Sequence, residues 1–480
     1  MNVIACGNKN TAQAAKEVMD KGGNAFDGIV AACFASTVTE PMLTSRGGGG
    51  IGLLRFPTGK TKCIDFLTDY SRSKSHVDAE KIVVSFGGEK QVFYLGYGSL
   101  GVPGCLEGFL HMHKHYCTMD LATLLAPSIR FAKGHKLDNF QAFVFQVLET
   151  FCMYTDDSKE VFAPNGILLK GGDVIKNLKL ASFLERLAND KQSALQSFRE
   201  ATATTVAGKM STLTPEDLES YQVFEREPLS MNYNNYELAL TPPPSAGGLL
   251  IAHGLKFLEN KLGGIKHNSP EHIKLLVDST KYSNSQRTKE FFKGLLFEKG
   301  FWKKSLDRFG GTTHISIIDS EGNAASVTSS NGQGAGIMVK GTGIMLNNFA
   351  AEPDLMQYKD VYLPGKRITS MMCPSIISKH GQMHAVLGSG GSNRIRSAML
   401  QSISNLIDFK MSPQETTNAS RVHFEDNLLQ VESGISPKGL EEYETNLWTE
   451  NTNFYFGGVH IAGINAAGGD KRRGGTVILS

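Results

Sequence analysis

The sequence lacks any uninterrupted apolar stretch near the roughly 18 residues that a membrane-spanning helix requires, so no such helix is expected. It also lacks charge of one sign. With 49 Lys and Arg against 47 Asp and Glu the formal charge is +2, and no run of like charges forms a phosphate-tracking stripe, so nucleic acid and anionic membranes are not expected partners. Cysteine is sparse. The seven cysteines (Cys6, Cys33, Cys63, Cys105, Cys117, Cys152 and Cys373) are odd in number and scattered, with no CxxC and no Cys/His cluster at metal spacing. That pattern argues against a disulfide framework or a metal site and leaves them as small buried hydrophobes. The first residues, MNVIACGNKNTAQAAKEV, have no charged region followed by an apolar segment, so a signal peptide is not expected and a soluble, cytoplasmic protein is. Internal repeats and low-complexity tracts are absent too.

What is present is a chain of 480 residues with 41% hydrophobic residues and 51 glycines. This is enough for about three domains or for one large α/β body. Asn10 or Thr11 is placed to cap a helix carrying Ala14, Ala15, Val18 and Met19 on one face and stopping at Gly22-Gly23. Asn24 starts a second helix, apolar nearly all round and therefore buried, which ends before Pro41. LLRF, the turn PTGK and the segment 63–67 read as a hairpin feeding a sheet. GVPG then leads into a helix with Leu106, Phe109 and Leu110, and helical patterns continue towards Gly134 and over 141–153. The three prolines of TPPPSAGG, 241–248, remove donors and fix φ, so this is a rigid loop and a wall of something, entering a helix over 249–258. From Thr313 the pattern turns to strands: HISIID, the turn SEGN, AASVTS, then IMVKGTGIML. MHAVLGSGG is a strand ending in a glycine-rich turn, NRIRSAMLQSISNLIDF is an amphipathic helix, and KRRGG near the end reads as a solvated turn.

The run 47–52 matches GxGxxG at Gly47, Gly49 and Gly52, but a helix precedes it and a strand follows. A dinucleotide site needs the opposite order, so that a helix N-terminus faces the pyrophosphate. The more informative stretch is GGTTHISIIDSEGNAAS, 311–326, with LGSGGS, 387–392. A Thr hydroxyl is a poor nucleophile without an adjacent base, and the α-amine of the same Thr, exposed by a cut in front of it, is one solution. Its ordinary pKa of about 7.7–8.0 leaves a neutral fraction near pH 7. A glycine upstream leaves room for the strained turn of such a cut, and the amides of Gly390 and Gly391 are placed to form an oxyanion hole. Thr-Thr in a strand is also what β propensity alone produces.

The segments GGNAFDGIVAACFASTVTEP, RGGGGIG, GVPG, TPPPSAGG, TTHISIIDSEGNAASVTSSNG, GTGIMLNN, SMMCPSI, GSGGSNRI and DKRRGG occur in one order along the chain. Together they resemble the γ-glutamyltransferase family of N-terminal nucleophile hydrolases over nearly the whole length. The resemblance implies an α+β fold, a four-layer αββα sandwich, and a precursor that cuts itself into two associated subunits. It puts the nucleophile at Thr312 and the cut between Gly311 and Thr312, giving pieces 1–311 and 312–480. Ser330 falls where the family has a Thr that bonds the nucleophile and assists processing. Asn331 or Gly332 falls at an Asn that binds the substrate's α-amino group, the alignment slipping by one residue there. Glu352 falls at an acidic residue for the same group, Thr369 and Ser370 at a pair that binds the α-carboxylate, and Gly390-Gly391 at the oxyanion hole. No metal and no organic cofactor are implied.

Three departures stand out. Leu67 occupies the place of a family Arg that would pair with the substrate carboxylate, a charge-assisted contact worth about 1.5–3 kcal/mol. Arg72 lies five residues on. Phe349 replaces a polar residue, and the segment 352–367 is short for a lid, so an open, wet cleft is expected. His314 alternates with Ile315 and reads as structural, and Arg394 and Arg396 read as making structural or solvent contacts. The leading expectation is cleavage of a γ-glutamyl amide in a glutathione-like donor, with water favoured over an amino acid or peptide as acceptor. The alternatives are the same nucleophile acting on another acyl donor, an unprocessed non-catalytic binding relative, and, last, a nucleotide-binding enzyme.

Overall fold

Asparagines start the first two helices. Asn8, two residues before the expected position, caps Lys9–Met19 by accepting from the Asn10 amide. Asn24 and Asp27 form a capping box at the head of Ala25–Thr39, and all fifteen residues of that helix are buried, as its all-round apolar surface requires. The computed structural model describes the chain apart from residues 74–76, 87–88, 287–310, 352–363 and 450–453, and apart from the side chains of 84–91.

Two antiparallel sheets form the centre. The first has seven strands in the order Thr476–Leu479, Val3–Cys6, Gly311–Ile318, Ala324–Gly332, Gly49–Arg55, Thr61–Phe66 and Phe224–Arg226. The second has six: Ala466–Gly469, Gly458–Gly463, Gln382–Gly390, Ser375–Lys379, Tyr236–Leu240 and Leu229–Tyr233. They pack face to face, with Gly311–Ile318 lying on Gln382–Gly390 and Gly458–Gly463. Helices Lys9–Met19, Ala25–Thr39, Cys105–Tyr116 and Leu121–Lys133 share a core on the outer side of the first sheet. Ala246–Leu258, Pro270–Ser285 and Arg394–Ile407 cover the second. The expected αββα order is therefore the observed one. At one end of the first sheet Asn2 and Ser480 exchange two backbone hydrogen bonds, of 2.6 and 3.0 Å.

The hairpin is present as Gly49–Arg55 and Thr61–Phe66. The prolines of 241–248 do precede a helix, which begins earlier than expected, at Ala246. The helix expected over 141–153 breaks at Leu148 into Asn139–Val147 and Glu149–Cys152. Among the described residues no helix is long and apolar enough to cross a membrane.

Candidate functional site

Alternation along Gly311–Ile318 decides what each side chain meets. Ile315 and Ile317 join the helix-side core, and Thr313, on the same face, donates to the Glu40 carboxylate at 2.6 Å. His314 and Ser316 point the other way. Ser316 donates to the His460 carbonyl, and a Cβ on Gly388 would stand 2.3 Å from the His314 ring. His314 is held between Thr328 Oγ1 and Ser316 Oγ, each at 2.8 Å, and burial pushes its imidazole far below the ordinary value. It is a structural, neutral histidine, as its place in the strand suggested.

The pairing with Ala324–Gly332 is irregular at one step: Gly311 pairs with Gly332 and Thr312 with Ser330, so Asn331 is left over in a bulge between Gly311 and Thr312. Thr312 is 5% exposed. Its hydroxyl donates to Ser330 Oγ at 3.2 Å, and Ser330 Oγ in turn donates to the Gly311 carbonyl and accepts from the Gly332 amide at 3.0 Å. One hydroxyl thus touches both the expected nucleophile and the carbonyl expected to be cut. A Cβ at Gly311 would lie 2.3 Å from the Gly332 carbonyl oxygen and 2.6 Å from that of Met42, so only glycine fits before Thr312.

Gly390 closes the site from the second sheet. Its Cα faces Thr312 so closely that a Cβ would stand 2.2 Å from the Thr312 carbonyl oxygen. Gly391 follows with φ 137°, a conformation that favours glycine, and packs on Gly457. These glycines and Thr312 are brought together. Asn331 is fully buried, and its Oδ1 has no hydrogen-bond partner among the described residues, leaving an acceptor free. Asn347 ties the walls, donating to the carbonyls of Gly47 and Gly101, and Asn348 donates to Gln333 Oε1 and the Tyr94 carbonyl.

Thr369 and Ser370 are occupied in a different way from a free carboxylate pair. Thr369 donates to the Pro244 carbonyl at 2.7 Å, and Ser370 Oγ accepts from the Met372 amide at 3.0 Å. The Ser370 carbonyl accepts from the Ala246 amide and Ser245 Oγ, so this pair and the proline loop brace each other. Glu352 lies outside the described residues, as does most of the short segment that was expected to leave the cleft open. Leu67 is buried, and Arg72 is exposed, its backbone amide bound to Asp217. The buried guanidinium nearby is Arg367, committed to Asp65 and Asp69. Phe349 is buried in the core of the second sheet.

Two sequence expectations are corrected or completed here. The KRRGG run is not a solvated turn: Arg472 and Arg473 are 6% and 2% exposed, and Arg472 pairs with Glu432 and Asp470. A sequence displays their charge but not the acids that neutralise it. The run 47–52 leads into a central strand, and a Cβ at Gly48 would stand 2.1 Å from the Ser330 carbonyl oxygen, so these glycines allow close packing beside the site. Glu40 was not singled out from sequence. It accepts from Thr11 as well as Thr313, and burial pushes its carboxyl up to about 7 against those two donors. Its only sequence signal is its place at the end of the second helix, in VTEP. All seven cysteines are free thiols and six are buried.

Two stacked antiparallel sheets between helical layers, with a Gly-Thr step facing paired glycines across the sheets, make the αββα sandwich expected of an N-terminal nucleophile hydrolase. The gamma-glutamyltranspeptidase family model matches residues 11–293 and 298–479, and the chain belongs to that family. The glutathione hydrolase proenzyme of Escherichia coli (strain K12) is 28% identical, the match covering 92% of this chain and 84% of that protein. The acylase ACY 1 proenzyme of Pseudomonas sp. (strain V22) is 30% identical over 88% of this chain and 82% of its own. Among solved structures, the cephalosporin acylase from Bacillus halodurans has the same fold, with TM-score 0.79 at 22% identity, covering 99% of this chain and 95% of that one.

Proposed function

We propose that the chain cuts itself between Gly311 and Thr312 and that Thr312 then cleaves amides through an acyl-enzyme. The carrying observation is the position of Ser330 Oγ, which bonds both the Thr312 hydroxyl and the Gly311 carbonyl. In the precursor, Thr312 Oγ attacks the Gly311 carbonyl carbon, the proton it loses reaches the departing Thr312 nitrogen, and the peptide bond gives way to an ester. Water hydrolyses that ester, leaving a Gly311 carboxylate, a free Thr312 hydroxyl and a free Thr312 amine. The amine then serves as base: Oγ attacks the substrate amide carbon, the proton it loses reaches the leaving nitrogen, and the Gly390 and Gly391 amides hold the oxyanion. Water or an amino acid or peptide takes the acyl group. Asn331 and Glu352 receive the substrate's amino group in this reading; Ser370 Oγ donates to its carboxylate, and Thr369, whose hydroxyl proton is held by the Pro244 carbonyl, keeps Ser370 in place.

The substrate is a γ-glutamyl amide of glutathione type, with hydrolysis favoured. The family and the named glutathione hydrolase support that class. Leu67 favours a second reading, in which the donor is another acylated amine, since no arginine stands where a carboxylate partner is expected and an acylase is among the relatives. The ratio of kcat/KM for γ-glutamyl and neutral acyl anilides separates them: preference for γ-glutamyl supports the first, and no preference removes it. Processing is tested by intact mass of fresh and incubated protein. Division of the 52.2 kDa chain in proportion to its residues gives pieces of about 34 and 18 kDa, the smaller beginning Thr-Thr-His. A chain that stays whole through incubation favours a non-catalytic relative and removes the proposal.

A further inference from the structure

The charged turn near the C-terminus contributes a side chain to the centre of the site. Arg473 is 2% exposed, and its stem lies flat on Gly458, where a Cβ would stand 2.5 Å from the arginine's own Cβ. Its head divides between two carbonyls, Nη1 donating to Thr312 and Nη2 to Phe454, each at 3.4 Å, with the guanidinium over the Phe454 ring. The same Nη1 is the neighbour that a Cβ on Gly390 would meet at 3.3 Å, and Nη2 the one that a Cβ on Gly391 would meet at 3.7 Å. One guanidinium therefore lies against the proposed nucleophile's carbonyl and both proposed oxyanion glycines.

Resting on the reading of Thr312 as the nucleophile, we infer that Arg473 is a positioning residue with two effects. Its fork holds Thr312 in register with Gly390 and Gly391, and its charge at the Thr312 carbonyl keeps the α-amine of the cut chain neutral so that it acts as base. The amine is one carbon removed from that carbonyl, so a fixed cation there disfavours the ammonium form electrostatically. Burial and the neighbouring Arg394 pull the Arg473 guanidinium down to about 9, which still leaves it charged at pH 7. The other groups around this point do not cancel it. Asp470 is engaged by Arg421 at 2.7 Å and Arg472 at 3.1 Å. His314 and His460 are buried and pushed down, so neutral, and Glu40, which meets Thr313 from the opposite face of the strand and titrates at about 7, is the same in wild type and variants, so the comparison below cancels it. Ser330 is uncharged.

The experiment compares the pH profiles of kcat/KM and kcat for the cut forms of wild type, R473Q and R473K, after intact mass has established cutting. In R473Q the acid limb, where the amine must lose its proton, moves up by about one pH unit, a tenfold loss on that limb, with KM little changed. R473K keeps the charge, so its acid limb stays within about 0.3 unit of wild type while the lost fork lowers kcat about tenfold at unchanged KM. An R473Q limb that does not move overturns the inference, whatever happens to stability. Should R473Q fail to fold, R473K decides alone: turnover equal to wild type overturns it. A wild-type chain that stays whole removes the amine and overturns both readings together, whereas a cut, active wild type with an unmoved R473Q limb overturns only the role of the arginine.

Discussion

Ser330 and Thr312 share one hydrogen bond, and what each loses on mutation differs. Thr312→Ala removes the attacking oxygen for both the cut and the acyl-enzyme, so the expected result is a single 52.2 kDa chain with no turnover, read by mass spectrometry and an anilide assay. Two fragments or residual turnover in that variant would refute the assignment. Glu40 offers a test of a different kind at the same scale. Its folded pKa of about 7 exceeds the ordinary carboxyl value of 4.5, so the folded state binds the extra proton. Its contribution to stability is therefore present below pH 4.5 and is lost as pH rises to about 7, by about 3 kcal/mol. Buried His272 and His460, pushed down to about 3 and about 4, act in the opposite sense at lower pH. The measurable quantity is thus the wild-type stability minus that of Glu40→Gln in denaturant titrations, expected to fall by about that amount between pH 5 and 7.5. A difference that is flat with pH contradicts the buried, protonated carboxyl.

At the scale of elements, the site is a meeting of two strands from different sheets, Gly311–Ile318 and Gln382–Gly390, and the fit between them tolerates no side chain at Gly390. Gly390→Ala places a methyl 2.2 Å from the Thr312 carbonyl oxygen, so one strand must move, and the proposed oxyanion amides move with it. Turnover is expected to fall by about two orders of magnitude or more, by the usual worth of about 2.7–4 kcal/mol for one oxyanion donor, with a smaller effect on KM. Wild-type turnover in a folded, cut variant would exclude Gly390 from the reaction. Elements of this kind were legible because they carry local signals: Asn24 at a helix start, PTGK at a hairpin, prolines before Ala246–Leu258. The break at Leu148 and the burial of Arg472 and Arg473 were not, because each depends on partners far away in the chain. Glu40 escaped notice for the same reason, its partner Thr313 being 273 residues distant. The Gly311–Thr312 step drew its proposed role chiefly from resemblance, since Thr-Thr in a strand carries no chemistry by itself.

At the scale of the molecule, both sheets draw strands from either side of the proposed cut. In the first, Val3–Cys6 lies between Thr476–Leu479 and Gly311–Ile318, and Ala324–Gly332 pairs with Gly49–Arg55. In the second, Tyr236–Leu240 pairs with Ser375–Lys379. Separating the pieces would break these ladders and open the cores around them, so the fragments should elute together at the mass of the uncut chain and part only in denaturant. Elution of the smaller piece alone in native buffer would contradict the weave.

The two hydrogen bonds between Asn2 and Ser480 give this arrangement a further use. Because Asn2 and Ser480 already touch, a short linker could join these two residues and a new start could be opened at Thr312 without altering either sheet. Such a circular permutant would need no self-cleavage. The proposed nucleophile would be exposed during synthesis, by removal of the initiating Met, and maturation and turnover, both assigned above to one hydroxyl, could be studied as separate events.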